Sequence, residues 1–300
     1  MRVLWGGVRR QPGKKAGTKR QKTTESEIPH GFSFPTPAKD GTIVGSKRSR
    51  RASLPGSGDK RRRFLLLSTK IILIRHCESA GNTGGTFQGQ TDCDISETGR
   101  KQLDLLALRC RNLHFDAIVS SPLLRAYRTA EAVNRYRGLE IQTDARLEEI
   151  GGGAYENTPW SELPARFPEE TRRWYEDPGS FQAPGGESMR QVYDRVWAAL
   201  LELVRRYPGG TVCVTSHGCA IRNMLCHALG YPLARIGEVP WCNNTSLTSL
   251  VFTEDGQVRV EFMNDYSHLT PETSNFSKQK WWSSPPAEPG GEVKEEGSGL

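Results

Sequence analysis

The 300-residue chain contains no apolar stretch of 18 or more residues, which excludes a membrane-spanning helix of the usual kind. Its seven cysteines include no C-x-x-C pair, and several fall within predicted strands or helices. This distribution favours reduced thiols over a disulfide framework or a zinc site. The apolar run Val3, Leu4 and Trp5 is too short for the core of a secretory signal. We therefore expect a cytoplasmic protein with no membrane partner.

Positive charge is concentrated at one end of the chain. Residues 1–63 hold 17 Lys and Arg against 4 Asp and Glu, whereas the remaining residues hold 24 against 30. The segment is rich in Gly, Pro, Ser and Thr and has no sustained apolar period, so we predict a disordered basic extension. Its basic runs at 47–51 and 60–63 fit a solvated tail, an import signal, an organellar transit peptide or a mis-assigned translation start. We do not expect nucleic acid as a partner, unless through this extension.

The body of the chain alternates predicted strands with predicted helices. Residues 283–300 are rich in Pro, Gly and Glu and predict a flexible tail, which leaves one domain over 64–282. Buried strands are predicted at Lys70–Arg75, Phe115–Ser120 and Thr211–Ser216. Helices are predicted from Ser96-Glu97, from Ser121-Pro122 to about Tyr136, over Glu187–Arg206 and from about Cys219 to Leu229. A hairpin is predicted over Leu247–Thr253 and Val258–Met263, around Asp255-Gly256. The pattern predicts an α/β fold, a three-layer sandwich whose mostly parallel central sheet carries helices on both faces.

Basic and nucleophilic residues follow three of these strands. Arg75-His76 ends the first and Ser120-Ser121 the second, with Arg125 one helical turn later; His217-Gly218 ends the third. Open α/β sheets bind ligands at the carboxyl edge, where helix N-termini also present free N–H groups. Two arginines and two histidines at that edge indicate a site for an anion, most naturally a phosphoryl group.

The same residues carry a resemblance to a known family. The string RHCESAGN (75–82) resembles the R-H-G-E-[ST]-x-x-N signature of the histidine phosphatase, or phosphoglycerate-mutase-like, superfamily. The similarity covers roughly residues 69–265, and the chain has EEIGGG where the glycolytic mutases have E-R-H-Y-G. It therefore resembles the α-ribazole-phosphatase-like and broad-specificity phosphatases more than those mutases. Further motifs follow in the family's order: SSPLLRAYRTAE (120–131), LEEIGGGAYEN (147–157), PGGES (184–188) and TSHGCAIRNML (215–225).

The resemblance implies a role for each matching residue. His76 is implied as the nucleophile that accepts the phosphoryl group, and Glu149 as the acid for the leaving oxygen. Neighbouring Glu148 falls at a variable position and is expected to be a solvated surface acid. The remaining catalytic residues are Arg75, Arg125 and His217, and the substrate-binding residues are Arg75, Asn82, Gln88, Gly89, Arg125 and Gly218. We expect neither a metal nor a cofactor.

The implied function is that of a metal-independent phosphomonoesterase of the histidine acid phosphatase type, acting on a small phosphorylated metabolite through a phosphohistidine. A cofactor-dependent phosphoglycerate mutase is the alternative, and a non-catalytic phosphate- or protein-binding module is a third reading. The physiological substrate and the oligomeric state stay open.

Two further features bear on the pocket. Cys77 stands where the family usually has glycine, and we expect an inert thiol there, although a low-pKa, oxidisable one is the alternative. The loop that contains the implied acid Glu149 (residues 146–157) is called the acid loop below. The insertion 158–181 lies between this loop and PGGES. It is predicted to cover the pocket, with Trp160 and Trp174 as its lid residues.

Overall fold

A computed structural model describes residues 68–274. The predicted extensions at 1–63 and 283–300 lie outside the described residues, and so do the expected contact with nucleic acid and both ends of the predicted 64–282 domain. The described part of the chain contains six strands that form one sheet. They are β1 (Thr69–Arg75), β2 (Ala117–Ser120), β3 (Ile141–Thr143), β4 (Thr211–Ser216), β5 (Leu247–Phe252) and β6 (Val258–Asp265).

The sheet is mixed, with the order β3-β2-β4-β1-β5-β6. The first four strands in this order run parallel to one another, whereas β5 pairs antiparallel with β1 and with the edge strand β6. The expectation of a mostly parallel sheet is confirmed. The predicted hairpin is also present, because β5 pairs with β6 and Gly256 takes a φ of 80° in the turn between them.

Helices cover both faces of the sheet and complete the three layers. Along β1, Ile71 and Leu73 pack in the core cluster that contains Val196, whereas Ile72 and Ile74 pack in a second cluster. This alternation is the period of two that a strand buried on both faces requires. The helices are α1 (Ala80–Gly84), α2 (Glu97–Cys110), α3 (Leu124–Asn134), α4 (Leu163–Arg166), α5 (Pro168–Glu176), α6 (Met189–Arg206) and α7 (Gly218–Ala228). Helices α6 and α7 contribute to the first cluster, and α2 and α3 to the second.

Helix starts follow the sequence where a side chain caps them. Ser96 caps α2 by accepting the Gly99 N–H, as predicted, and Ser188 caps α6 by accepting the Gln191 N–H. The prediction that Ser121-Pro122 caps and begins a helix is wrong, because α3 begins at Leu124 with Leu123 at its N-cap. There the Leu124 N–H donates to Asp92 at 2.8 Å, and the Ser121 hydroxyl accepts the Leu123 N–H at 3.3 Å and also contacts His217.

No helix among residues 68–274 is long and apolar enough to cross a membrane. The insertion 158–181 contains the short helices α4 and α5, which the sequence patterns did not predict. The three-residue strand β3 was also missed, since its residues are half-buried or exposed and give no apolar run.

Candidate active site

Three parallel strands bring the predicted residues to one edge of the sheet. β4 lies between β1 and β2, and the register pairs Arg75 with Ser216 and Ser120 with Thr215. The loops that follow β1, β2 and β4 therefore begin next to one another at the same edge of the sheet. The backbone N–H of His76 donates to the Ser216 carbonyl at 2.8 Å, which extends the ladder one residue beyond the strand.

His76 is held with one ring nitrogen fixed. Its Nδ1 lies 2.6 Å from the Cys77 carbonyl oxygen, which can only accept, so Nδ1 carries the proton. Burial, followed by the positive charges of Arg125 and Arg75, lowers the pKa of His76 well below its usual value. The ring is therefore neutral at pH 7, with the unshared pair on Nε2.

His217 lies against His76 and is fully buried. The two ring centroids are 5.1 Å apart, and Nε2 of His217 lies 2.8 Å from the Ser121 hydroxyl. Burial, with further contributions from Arg125 and His76, also lowers the pKa of His217 well below its usual value. Two neutral imidazoles thus lie next to each other at the predicted anion site.

Arg75 and Arg125 are fixed by backbone carbonyls. Nη1 of Arg75 donates to Cys242 at 2.5 Å, and Arg125 donates to the carbonyls of Thr91 and Gly89 at 2.9 and 2.8 Å. Both side chains are nearly fully buried. Neutral carbonyls orient a guanidinium without neutralising it, so both positive charges stay available to an anion.

Several buried polar atoms of this cluster have no hydrogen-bond partner among the described residues. They are Nε of Arg75, Nε of Arg125 and Nδ1 of His217. Buried polar groups are normally satisfied, and an exception calls for an explanation such as a ligand. Each of these three atoms can donate to an anionic oxygen, as the residue types predicted.

A turn after α7, at residues 242–246, supports the first strand end. Besides the Cys242 carbonyl that holds Arg75, the Asn244 amide donates to the His76 carbonyl at 2.9 Å. The Thr245 N–H donates to the Arg75 carbonyl at 3.0 Å, with Thr245 at a φ of 57°. Positive φ is rare for a β-branched residue. The sequence patterns did not identify this turn as part of the site.

Glu149 lies at the N-terminus of α7. Its carboxylate accepts the backbone N–H groups of Cys219 and Ala220, both at 3.1 Å. The helix end therefore holds the predicted acid at the same edge of the sheet as the histidines. Glu148 is half-buried rather than solvated, which corrects the expectation, and burial raises its pKa.

Arg195 on α6 fastens the acid loop and was missed by the sequence patterns. Its guanidinium donates to the carbonyls of Arg146, Glu148 and Glu149 at 2.8–2.9 Å. It also forms a two-point ion pair with Glu187, at 2.6 and 2.8 Å. Glu187 belongs to the PGGES motif. Its position eight residues before Arg195 is the only feature of the sequence that could have indicated this ion pair.

Glu156 holds the loop that contains Gln90 and Thr91, and the sequence patterns did not identify it either. Its carboxylate accepts the N–H groups of Gln90 and Gly152 at 2.8 Å and that of Thr91 at 3.1 Å. It therefore joins the loop that holds Arg125 to the acid loop. Gly89 lies between these contacts, where a Cβ would overlap the Glu156 carboxylate and the Ile150 carbonyl. Gly89 therefore lets the backbone come close to these two groups, which a residue with a side chain could not do.

A cleft that is partly open to solvent lies beside these groups. Asn82 and Gln88 line it, as their predicted binding role requires. Asn82 also accepts the Ser79 N–H as part of the capping box of α1, and Gln88 accepts the Ser79 hydroxyl at 2.6 Å. Gly218 begins α7, where a Cβ would lie 3.5 Å from Nε of Arg75.

The structure thus brings all the predicted site residues together, although not all of them face the cleft. Arg75, His76 and Glu149 line it, whereas Arg125 and His217 are buried against these residues and are not among its lining side chains. The predicted lid residues Trp160 and Trp174 line it too, together with Trp241. Among residues 68–274, no group of three or more His, Cys, Asp and Glu side chains is placed to hold a metal ion.

Comparison with known proteins agrees with this geometry. The family model of the histidine phosphatase superfamily (branch 1) matches residues 71–265. Phosphoserine phosphatase 1 of Hydrogenobacter thermophilus is 38% identical over 200 residues, covering 67% of this chain and 94% of that protein. A Yersinia pestis protein named "Probable phosphoglycerate mutase GpmB" is 33% identical over 204 residues, with the same coverage. A solved mycobacterial glucosyl-3-phosphoglycerate phosphatase is 28% identical with a TM-score of 0.62, covering 66% of this chain and 99% of that one.

Proposed function

The chain belongs to the histidine phosphatase superfamily, and we propose that it is a metal-independent phosphomonoesterase that acts on a small phosphorylated metabolite through a phosphohistidine at His76. The observation that carries the proposal is the state of His76. Its Nδ1 is tied to the Cys77 carbonyl, and burial and two guanidinium groups keep the ring neutral. A neutral imidazole with Nε2 unprotonated is the form that can attack phosphorus.

In the first step, Nε2 of His76 bonds to phosphorus as the ester P–O bond breaks. The leaving oxygen takes a proton from the Glu149 carboxyl group, so the alcohol departs uncharged. The transferred group passes through a loose transition state with charge on its equatorial oxygens. Arg75, Arg125 and His217 supply donors to those oxygens, and their fixed positions avoid reorganisation during the reaction.

In the second step, water attacks the phosphohistidine. Glu149, now a carboxylate, takes a proton from the water as the new P–O bond forms, and the P–N bond breaks to return neutral His76. Inorganic phosphate is the product, and the enzyme regains its starting protonation state. The position of Glu149 at the N-terminus of α7 supports the base step, because the helix end and two N–H groups stabilise the carboxylate that the first step leaves.

A rapid-quench experiment tests the proposal directly. The full chain is mixed with a ³²P-labelled phosphomonoester in excess EDTA, and the quenched protein is digested and mapped. We expect acid-labile label on the peptide that contains residue 76 and no label in the His76→Ala variant. His114→Ala is the matched control, because His114 is an exposed histidine outside the cleft, and its label should equal that of the wild type.

Two results would contradict the mechanism. Product formation without label on residue 76 would remove the covalent step. Loss of turnover in EDTA, restored by a divalent cation, would overturn the metal-independent chemistry. If the wild type hydrolyses no member of a broad panel of phosphomonoesters, the binding-module interpretation takes the place of the enzyme.

Phosphoglycerate mutase activity is a second candidate, favoured by the 33% identity to the GpmB-named protein. A mutase must hold the carboxylate of its substrate as well as the phosphoryl group. Among the described side chains that line the cleft, Arg75 is the single permanent cation, and the phosphoryl group requires it. We therefore expect no isomerisation of 3-phosphoglycerate in the presence of added bisphosphoglycerate, as followed by coupled assay.

A further inference from the structure

The cleft beside His76 has two chemically different ends. Polar side chains lie at the end where the three strands terminate. Aromatic side chains form the other end, with Trp160 and Trp174 contributed by the insertion 158–181 and Trp241 by the chain after α7. Phe87 lies among them, with ring centroids 5.1 Å from Trp160 and 5.8 Å from Trp174.

The aromatic end is built before any ligand arrives. Trp174 is 7% exposed, and its ring lies 5.7 Å from Trp160, 6.0 Å from Trp241 and 4.8 Å from Phe181 between centroids. The Arg222 guanidinium lies 4.6 Å from the Trp241 ring, and it is itself fixed by two backbone carbonyls. Because these rings are already packed, they lose little conformational entropy when a ligand binds. More of the free energy of their contact with the ligand therefore contributes to affinity.

The charges of the cleft are already assigned. Among its described lining residues, the Arg, Lys, Asp and Glu side chains are Arg75, which holds the Cys242 carbonyl, and Glu149, which holds the N-terminus of α7. Both serve phosphoryl transfer under the proposed function. A carboxylate on the leaving group would therefore meet the electron-rich faces of indole rings and lose its hydration without an ionic partner there, which is unfavourable.

We infer that the substrate is a phosphomonoester whose leaving group is an apolar alcohol without a carboxylate, with an aromatic or similarly flat group that packs against Trp160, Trp174 and Trp241. The inference rests on the proposed function and names its substrate class. It predicts poor use of phosphoserine, whose leaving group carries both an ammonium and a carboxylate, despite the similarity to a phosphoserine phosphatase.

A matched set of substrates tests the preference. 2-Phenylethyl phosphate and ethyl phosphate release alcohols of similar acidity, so their difference reports binding of the ring rather than leaving-group chemistry. We expect kcat/KM to be about 10–100-fold higher for the phenylethyl ester, the factor that burial of one aromatic ring normally gives. O-phosphoserine should be used no better than ethyl phosphate.

Variants of the aromatic wall locate the effect. Trp160→Ala and, as an independent second variant, Trp241→Leu should each lower the phenylethyl-to-ethyl ratio of kcat/KM at least fivefold, mainly through KM of the phenylethyl ester. Trp197→Ala is the matched control, because Trp197 is a half-buried tryptophan that stacks on His227 and does not line the cleft. Its ratio should equal that of the wild type.

The outcomes separate the two proposals. Equal use of the two esters, preference for O-phosphoserine, or a ratio that both wall variants leave unchanged would overturn the inference while phosphatase activity stands. Hydrolysis of none of the three esters would overturn the proposed function and the inference together.

Discussion

The polar end and the aromatic end of the cleft are held in place by different forces. At the polar end, each functional side chain is fixed by directional bonds to backbone groups, as Arg125 is by carbonyls and Glu149 is by N–H groups. At the aromatic end, the positions of the rings relative to one another depend on the packing of ring against ring. Hydrogen bonds weaken steeply with misalignment, whereas ring packing tolerates small shifts. The polar end is therefore suited to a fixed transition state, and the aromatic end to a family of leaving groups.

Substitutions at the polar end should accordingly cost far more in rate than those at the aromatic end. The largest effect is expected for Arg125→Met, which removes one fixed donor and one buried positive charge. Loss of a single donor of this kind lowers kcat by about 10²–10³. Steady-state kinetics with 2-phenylethyl phosphate measures it.

Arg128→Met is the matched control for Arg125→Met. Arg128 lies on the same helix, one turn further on, in an exposed ion pair with Glu131. It should retain wild-type kcat. A loss of less than about fivefold in Arg125→Met would show that the polar end does not depend on this guanidinium.

Much of the polar end was predictable, because its residues follow buried strands. The apolar runs at 70–75 and 211–216 place Arg75, His76 and His217 at one edge once the strands are known to be parallel. Arg195 and Glu156 escaped prediction for a physical reason. Most of their partners are backbone carbonyl and N–H groups, which nearly every residue carries, and the ion pair between Arg195 and Glu187 leaves only a spacing of eight residues as a signal.

The aromatic end was predictable only in part. The insertion between two motifs identified Trp160 and Trp174 as lid residues, and both line the cleft. Trp241 lies far along the chain from the insertion and has no periodic pattern around it. Its position depends on how the chain leaves α7, which is a property of tertiary packing rather than of local sequence.

The second largest effect is expected for Arg195, which lies outside the polar end and holds the acid loop in place. Arg195→Met leaves Glu187 without its partner and frees three carbonyls of the acid loop. Because both members of the pair are less than one-fifth exposed, we expect the free energy of unfolding to fall by roughly 2–3 kcal/mol, somewhat below the loss for a fully buried pair. We also expect kcat to fall about tenfold as Glu149 loses its orientation.

Urea unfolding and kinetics on the same preparation separate these two effects. Arg190→Met is the control, because Arg190 lies on the same helix with 59% of its side chain exposed, in an exposed pair with Asp194. Exposed pairs contribute less than about 1 kcal/mol. An Arg195→Met variant as stable and active as this control would contradict the positioning role.

A smaller effect is expected from pH. Folded His76 and His217 stay neutral well below their usual pKa, whereas the unfolded chain protonates histidine near pH 6.5. Below pH 6.5 the unfolded state therefore binds more protons, and the free energy of unfolding falls as the pH falls. Each histidine contributes at most about 1.4 kcal/mol per pH unit.

Urea unfolding between pH 7.5 and 5.5 measures this slope. The His76→Asn variant should show a shallower slope than the wild type by up to that amount, and the exposed His114→Asn variant should not differ from the wild type. Identical slopes in His76→Asn and the wild type would contradict the burial of a neutral imidazole at residue 76.

The smallest effect is expected at Cys77, although it directly follows the proposed nucleophile His76. Its thiol packs with Ile95, Leu103 and Ala132, and burial raises its pKa to about 12. A thiol that stays protonated is a poor nucleophile, so iodoacetamide at pH 8 should leave Cys77 unmodified in the native chain and react first at half-buried Cys93. Peptide mass spectrometry distinguishes the two sites, and Cys77→Ala should keep kcat within about twofold. Rapid alkylation of Cys77 with loss of activity would instead place a reactive thiol at the polar end.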